Sequence, residues 1–456
     1  MTIKRTPEEF CVDEVLADEV ARAVSSRPGR FALYRLGKRG LTTPDAVRRL
    51  AEKLGCPAEA VAVGGLKDKQ AVTSQHVTAR MDTAAGARPR VQGEQWKAER
   101  LGYVDRSMDG AAIAGNVFEI VVSGLDERAC ELMDGAAELL EVTGNAAEER
   151  SVLEQREEAS VTQAAPPVRS VPVRASSAPV RSVPVRASSQ PGRTGDSGRR
   201  LRFVNYFGRQ RFGTVRHGRG FLARHLVRGQ FEQAFRLAVA AQTAADTPAD
   251  RRRKQAITAC WGRWPEALRR MGPGPERAAI QRLAEGGDFR EAFAALPYFT
   301  QQINVEAYQS HLWNATASEL IGHRCPADRV WEAGGEEEEA AAGGLAVMRF
   351  VAAGAVGPEL AGLVVPLAGP QTKLRPPWSH ALRAVMERER LRLSELPIPG
   401  LRRPFFGEAE RTLFADAEGF AISPPQAERK GQLRRTLRFR LPRGAYATVL
   451  LAAMGQ

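Results

Sequence analysis

The segment AVAVGGLKDKQAVTSQHV, residues 60–77, determines the local fold around the most informative residue of this chain. Its first four residues predict a short strand, and Gly64-Gly65 ends that strand. Two adjacent glycines allow close backbone approach, and a second extended stretch runs on through Val77. Asp68, with a lysine on either side, is therefore predicted at a junction between two strands and not on a helix face.

The flanking sequence adds a helix and further strands. A helix is predicted from Thr43 as N-cap, with Pro44 at its first position, to a stop at Gly55. Residues 117–122 predict an apolar strand. Residues 437–441 alternate apolar side chains with arginine, which predicts a half-buried strand with a basic outer face. The expected fold class is α+β with a mostly antiparallel sheet.

Residues 160–199 differ in kind from the rest of the chain. The string PVRSVPVRASS occurs at 167–177 and again at 179–189. Two copies are too few for a solenoid, and regularly spaced proline blocks both helix and sheet. We predict a disordered, Pro/Arg/Ser-rich insertion without a role of its own. The alternative is that its arginines contact a phosphate backbone.

Composition favours a polyanionic partner. The chain has 456 residues, with 66 Lys plus Arg against 53 Asp plus Glu, a net charge of +13. Such an excess attracts nucleic acid, although a generally basic, Arg-rich proteome would produce the same balance. The length predicts two or three domains.

Cysteine usage and the N-terminus predict a soluble, cytoplasmic protein. The five cysteines are scattered singly, which argues against a zinc site and a disulfide framework and fits a reducing compartment. The first ten residues, MTIKRTPEEF, are charged where a signal peptide needs an apolar run. No stretch is long and apolar enough to predict a membrane span.

The charged triplet Lys67-Asp68-Lys69 has a plausible chemical role. Flanking cations hold a carboxylate ionised and attract a phosphodiester backbone. An ionised carboxylate can act as a nucleophile or a base at a sugar or base carbon. Taken without context, such a triplet is more often a solvated surface cluster.

Six sequence blocks decide between these interpretations, because together they resemble the TruD family of tRNA pseudouridine synthases. Trp313 stands where the family has Phe, and Ala445 where it has Ser. In the order of the family, the blocks are RTPEEFCVDE (5–14), GGLKDKQAVTSQ (64–75), GNVF (115–118), NYFGRQRFG (205–213), YQSHLWN (308–314) and LRFRLPRGAYATVLL (437–451).

The resemblance implies roles for particular residues. Asp68 matches the catalytic nucleophile, and Phe10, Asn116 and Tyr446 match positions that contact the target uridine. An aromatic ring can stack on a flipped base, and an Asn amide can pair with a base or ribose edge. Without the resemblance, Phe10 and Tyr446 would be read as core residues.

Four basic residues are candidates for RNA binding: Lys67, Lys69, Arg209 and Arg211. The two arginines lie in NYFGRQRFG, interleaved with aromatic residues. That signature opens the second domain in the family, so part of it could instead build that domain.

The resemblance also implies the architecture and the reaction. A pseudouridine synthase catalytic domain with a mixed, largely antiparallel sheet is expected from residues 1–150 and 390–456, with a family-specific α/β domain at 203–389 inserted in it. The reaction is the isomerisation of a uridine, at tRNA position 13 in the family, and it requires no cofactor and no metal. The expected partner is tRNA. Two alternatives stay open: a pseudouridine synthase acting on another RNA, and a non-catalytic tRNA-binding chaperone.

Overall fold

The computed structural model describes residues 2–82, 88–143, 198–244, 246–333 and 344–455. Nearly all of the predicted insertion, residues 160–197, lies outside the described residues. Its predicted end is revised, because Arg199 already begins a strand. The Arg199 guanidinium also pairs with the carboxylate of Glu141, 2.7 Å away, across the undescribed segment.

The described residues form sixteen strands and thirteen α-helices, connected by loops and short 3-10 turns. The strands are β1 (Thr2–Ile3), β2 (Phe10–Leu16), β3 (Phe31–Arg39), β4 (Val61–Val63), β5 (Val72–Arg80), β6 (Arg90–Gly93), β7 (Trp96–Val104), β8 (Ile113–Leu125), β9 (Arg199–Val204), β10 (Val330–Ala333), β11 (Met348–Val351), β12 (Val364–Pro366), β13 (Glu410–Thr412), β14 (Phe414–Ile422), β15 (Gln426–Ala427) and β16 (Leu433–Pro442). The helices are α1 (Asp18–Arg22), α2 (Thr43–Leu54), α3 (Glu127–Leu140), α4 (Leu222–Leu226), α5 (Phe231–Val239), α6 (Pro248–Ala259), α7 (Trp264–Arg270), α8 (Arg277–Ala284), α9 (Phe289–Ala294), α10 (Tyr298–Arg324), α11 (Pro358–Ala361), α12 (Ser379–Glu389) and α13 (Ala447–Ala453).

The chain divides into two compact units. The first comprises residues 1–202, 416–447 and 456, and the second comprises residues 203–415 and 448–455. The second unit begins at Phe203, and β13 pairs with β12 within it. The first unit resumes at Asp416.

A twelve-stranded mixed sheet organises the first unit. Its strand order is β6-β7-β3-β5-β2-β8-β16-β14-β9. Outside this order, β1 pairs with β8, β4 with β5 and β15 with β16. The β2–β5 pair is parallel, whereas β2–β8, β3–β5 and β8–β16 are antiparallel. The predicted α+β class with a largely antiparallel sheet is confirmed. The β16 alternation is confirmed as well, since Leu437, Phe439 and Leu441 are buried while Arg438 is exposed.

Helix α2 ends at Gly55 as predicted, but its N-cap lies one residue earlier than predicted. Gly55 terminates it in the left-handed conformation, with φ of 69°. The N-cap is Thr42 and not Thr43, because the Thr42 hydroxyl accepts a hydrogen bond from the Asp45 N–H. The Thr43 hydroxyl instead accepts a hydrogen bond from a backbone N–H of the loop that carries Asp68. Apolar residues of α2, including Leu50 and Leu54, pack into the core beneath β3 and β5.

The second unit is mainly helical and is built on α10, a 27-residue helix that is buried along most of its length. The two sequence blocks of this unit, NYFGRQRFG and YQSHLWN, contact each other. The Asn314 side chain accepts from the Phe207 N–H at 2.8 Å and donates to the Phe207 carbonyl at 2.9 Å. Tyr206 and Trp313 are both buried and meet edge to face. Within the described residues, no helix is long and apolar enough to cross a bilayer.

Candidate active site

Asp68 lies in the loop that joins β4 to β5, at the strand junction predicted for it. The loop leaves β4 through Gly64, where a β-carbon would come within 2.5 Å of Ile113 Cγ1. Only glycine fits this close approach, as expected from the sequence. Because β5 runs parallel to β2, with Val72 opposite Cys11, the loop lies at the same sheet edge as the start of β2.

The Asp68 carboxylate is ionised and partly open to solvent. One oxygen accepts from Lys4 Nζ at 2.5 Å, and the other accepts from the Gln70 N–H at 3.0 Å. Burial would raise the pKa of Asp68, but the hydrogen bond and charge of Lys4 outweigh it, with smaller help from Gln70 and Lys38. The net result is a pKa below the usual value. The side chain is still 33% exposed, so a ligand can reach it.

Lys4 joins the carboxylate to an aromatic ring. Its ammonium lies 3.9 Å from the ring centroid of Phe10, a cation–π contact, while it binds Asp68. Lys4 itself has a φ of 63°, the left-handed region that few non-glycine residues adopt. Phe10 is buried and meets Phe118 edge to face at 6.1 Å. Lys4 was not identified from the sequence, since it precedes the first recognisable block and belongs to no periodic pattern.

The Lys67 side chain contacts Glu14 and Asn116. Its ammonium lies 2.6 Å from Glu14 Oε2 and donates to Asn116 Oδ1 at 2.8 Å. Glu14 and Asn116 are direct neighbours on β2 and β8. Burial raises the pKa of Glu14, but hydrogen bonds from His76 and the charge of Lys67 bring it below its usual value. Lys67 thus orients the Asn116 amide.

Lys38 and Thr43 hold the backbone of the loop. The Lys38 ammonium donates to the carbonyls of Leu41, Lys67 and Asp68 at 2.9, 3.3 and 2.8 Å. Lys38 is only 2% exposed, and this burial lowers its pKa to about 8, although the charge of Asp68 opposes the shift. The Thr43 hydroxyl accepts from the Lys67 N–H at 2.9 Å. Lys38 and Thr43 therefore anchor the backbone of the loop that carries the Asp68 carboxylate.

The other predicted site residues are placed as follows. Tyr446 belongs to the first unit and lies between β16 and α13, partly exposed. Lys69 is exposed beside Asp68. Arg209 is exposed in the second unit. Arg211 pairs with Glu306 at 2.9 Å, so it contributes to the packing of the second unit.

The side chains around Asp68 combine an ionised carboxylate, an amide and an aromatic ring. Within the part of the chain that the structure describes, no three His, Cys, Asp or Glu side chains are grouped to hold a metal ion. All five cysteines carry free thiols. The carboxylate, the amide and the ring suit attack on an electrophilic carbon of a ligand that carries a planar ring.

Comparison with protein families gives a match over most of the chain. Residues 1–149 and 180–454 match the family model described as tRNA pseudouridine synthase D (TruD). All six sequence blocks fall inside these two ranges.

Individual relatives and one solved structure agree with the family match. The chain is 26% identical to the tRNA pseudouridine synthase D of Aquifex aeolicus, over 98% of this chain and 96% of the relative. It is 29% identical to a probable tRNA pseudouridine synthase D of Pyrobaculum arsenaticum, over 98% and 90%. The crystal structure of a Methanosarcina mazei protein assigned to TruD has the same fold, with a TM-score of 0.59 at 19% identity, covering 100% of this chain and 93% of that one.

Proposed function

Because the chain belongs to the tRNA pseudouridine synthase D (TruD) family, we propose that it isomerises a uridine of tRNA to pseudouridine, with Asp68 as the catalytic carboxylate. By resemblance to the family, the target is the uridine at position 13. The observation that carries the proposal is the state of Asp68. It is ionised, partly exposed and held on an anchored loop beside an aromatic ring.

The chemistry needs only the chain's own residues and the RNA. The N1–C1′ glycosidic bond breaks, the uracil turns, and a C5–C1′ bond forms while the C5 proton is replaced on the base by a proton at N1. No atom is gained or lost overall, and no electron is transferred. Asp68 can act by trapping C1′ covalently, by stabilising positive charge there, or by taking a proton from the ribose.

The target base must leave the RNA stack to reach Asp68, at a cost of about a few kcal/mol. We propose that Phe10 and Tyr446 stack on the flipped uracil and that the Asn116 amide pairs with a base or ribose edge. A uracil stacking on the face of Phe10 that Lys4 now covers would take the place of that ammonium. Lys67, bound to Asn116 and Glu14, would act by orienting the amide.

RNA phosphates would be held by exposed cations of both units, among them Lys69 and Arg209. Arg211 would contribute indirectly, through its ion pair with Glu306. We place the activity in the cytoplasm, since single free thiols fit a reducing compartment.

The test is turnover on a defined substrate. Purified protein is incubated with tRNA transcripts labelled with tritium at C5 of uridine, and release of tritium is followed. Stoichiometric release, with one pseudouridine mapped at position 13, is expected. Pseudouridine mapping in total RNA from cells with and without the gene then identifies the RNA. Absence of release from every RNA would contradict the proposal, and a site confined to another RNA would correct the substrate.

A further inference from the structure

The second unit exposes a compact group of aromatic side chains at the start of α10. Tyr298, Phe299 and Phe405 are 42%, 71% and 49% exposed. Among the residues that the structure describes, these three are the aromatic residues most exposed to solvent. Rings scattered singly over a surface need no explanation, but their concentration at one place marks an interaction surface.

Hydrogen bonds to Gln302 fix the backbone of Phe405 and the hydroxyl of Tyr298. Gln302 donates from Nε2 to the Phe405 carbonyl at 3.1 Å, and the Phe405 N–H donates to Gln302 Oε1 at 3.2 Å. The Tyr298 hydroxyl, one helical turn earlier, reaches the same oxygen at 3.4 Å. The segment that carries Phe405 is thus tied to α10. Because this segment is already ordered, its backbone loses little conformational entropy when a partner binds.

The charge of the surface is positive. The Arg403 guanidinium lies over the Tyr298 ring, 5.4 Å from its centroid, and Arg402 beside it is exposed. The first turn of α10 contains no acidic residue. We call Tyr298, Phe299, Gln302, Arg403 and Phe405 the aromatic–arginine surface.

We propose that the aromatic–arginine surface is a second RNA contact, on which unpaired nucleotides of the substrate stack. Aromatic rings bind the faces of unpaired bases, which are inaccessible in a regular duplex, and guanidinium groups bind the adjoining phosphates. Folded tRNA supplies such nucleotides in its loops and at its end. The proposal rests on the proposed function only in taking RNA as the substrate.

Charge decides against a second copy of this chain as the occupant. Two copies joined about a twofold axis would place the same patch on both sides of the interface. Arg402 and Arg403 of one copy would then lie near those of the other, with like charges opposed and no acidic side chain in the first turn of α10 to relieve them. Phosphates, in contrast, neutralise both arginines.

The experiment removes the rings and measures RNA affinity. A variant of the full chain carrying Phe299→Ala and Phe405→Ala is compared with wild type for binding to tRNA, to a short single-stranded oligonucleotide and to a blunt duplex of the same length. The Kd for tRNA and for the single strand should rise about tenfold or more, within the range for lost base stacking. Affinity for the duplex should stay within about twofold, and kcat at saturating tRNA should be unchanged.

Two control variants make the result specific. Leu132→Ala with Leu139→Ala removes exposed apolar side chains from α3 of the first unit, and it should leave every affinity unchanged. Phe299→Tyr with Phe405→Tyr keeps both ring faces and should bind tRNA as wild type does. This conservative variant also separates lost stacking from a disturbed fold.

Three outcomes would overturn the proposal. The first is an affinity loss no greater than that of the leucine control. The second is an equal loss for duplex and single strand, which would indicate charge and not stacking. The third is a wild-type dimer that the alanine variant converts to a monomer. Because these measurements are of binding, they can fail while turnover is normal, and they can succeed in a protein that releases no tritium.

Discussion

Asp68 in the first unit and Glu389 in the second are both carboxylates held among cations, and they differ in how completely their oxygens are used. Asp68 accepts from one ammonium and one backbone N–H, and a third of its side chain is exposed. Glu389 receives two bonds from Arg224 and one from the Tyr308 hydroxyl at 2.6 Å, with His311 Nε2 3.7 Å away. Its side chain is 9% exposed.

Both carboxylates have a lowered pKa, so the pKa alone does not distinguish a reactive group from a structural one. Burial raises the pKa of Glu389, but the nearby His311 together with the hydrogen bonds from Arg224 and Tyr308 brings it down to about 2. Its oxygens are saturated by donors, and no ligand is needed to complete them. Asp68 keeps accessible surface beside an aromatic ring. Residual access, more than the shift in pKa, supports the proposal that Asp68 and not Glu389 is the catalytic carboxylate.

The largest effect on stability is expected at Glu389. Glu389→Ala should lower the free energy of unfolding by about 3 kcal/mol or more, since it leaves a buried network without its anion. The fraction that stays folded should turn over tRNA normally. Urea unfolding and tritium release measure the two quantities. Glu306→Ala, which breaks the more exposed pair with Arg211, is the control and should cost under about 1 kcal/mol. A stable but inactive Glu389→Ala would reverse the assignment of roles.

A pair of tyrosines sharpens the comparison. Tyr446→Ala should slow turnover by about one to two decades, the equivalent of roughly 1–3 kcal/mol of base stacking, with a modest change in Tm. Tyr446→Phe should be nearly as active as wild type. Tyr308→Phe should show the opposite pattern, with normal turnover and a lower Tm, because it removes a donor from buried Glu389. Unfolding of Tyr446→Ala would show that Tyr446 is a core residue.

Lys4 should control the ionisation of Asp68. Lys4→Met removes the cation that lowers the pKa of Asp68, so that pKa rises and the acid limb of the pH–rate profile moves to higher pH. On the acid limb turnover should fall by up to about tenfold for each unit that the pKa rises, whereas near neutral pH it should change little, because Asp68 stays ionised there. Lys69→Met removes an exposed lysine from the same loop, and it should leave the limb in place. An unshifted acid limb in Lys4→Met would contradict this role.

The smallest effect is expected from Lys38, whose ammonium anchors the loop. With a pKa near 8, it loses its charge above that pH, and kcat of the wild type should decline there. Lys38→Met should lower kcat about fivefold at unchanged KM, the worth of about one net hydrogen bond, and should lack the alkaline decline. The charged groups that act on Lys38 are Asp68 and Lys67.

Stability separates this effect from unfolding. The pKa of Lys38 is below its ordinary value of 10.5 in the folded protein, so between about 8 and 10.5 the unfolded chain binds more protons. Because the folded protein gives up the Lys38 proton more readily than the unfolded chain does, this group makes the fold more stable as the pH rises through this window. Activity that falls while the free energy of unfolding holds or rises would support the anchoring role, whereas parallel losses would contradict it.

Local patterns predicted the elements around Asp68 well, because each depends on neighbouring residues. The Gly64 turn, the end of α2 at Gly55 and the alternation in β16 are all short-range features, and all are present. The choice of partner for Asp68 could not be predicted in the same way. Lys67 and Lys69 adjoin Asp68 in sequence, yet the lysine that binds the carboxylate, Lys4, lies 64 residues away.

The dependence on residues far apart in sequence also explains the other differences between prediction and structure. Lys67 adjoins Asp68 in sequence, yet the β2–β8 register places Glu14 and Asn116 within its reach. Within the second unit, β12 and β13 pair over a distance that no periodicity reveals. Long-range pairing, and not propensity, decides each of these points.

Turnover by Asp68→Asn tests the central claim most directly. The substitution keeps the size and hydrogen bonding of the side chain and removes its charge, while Lys69 and the arginines remain to hold phosphates. Tritium release should fall by at least about 10³-fold, with tRNA affinity within about threefold of wild type by filter binding. Asp13→Asn, an exposed carboxylate on β2 paired with Arg35, should turn over normally. Turnover of Asp68→Asn within about tenfold of wild type, a loss of only about 1.4 kcal/mol, would contradict the account.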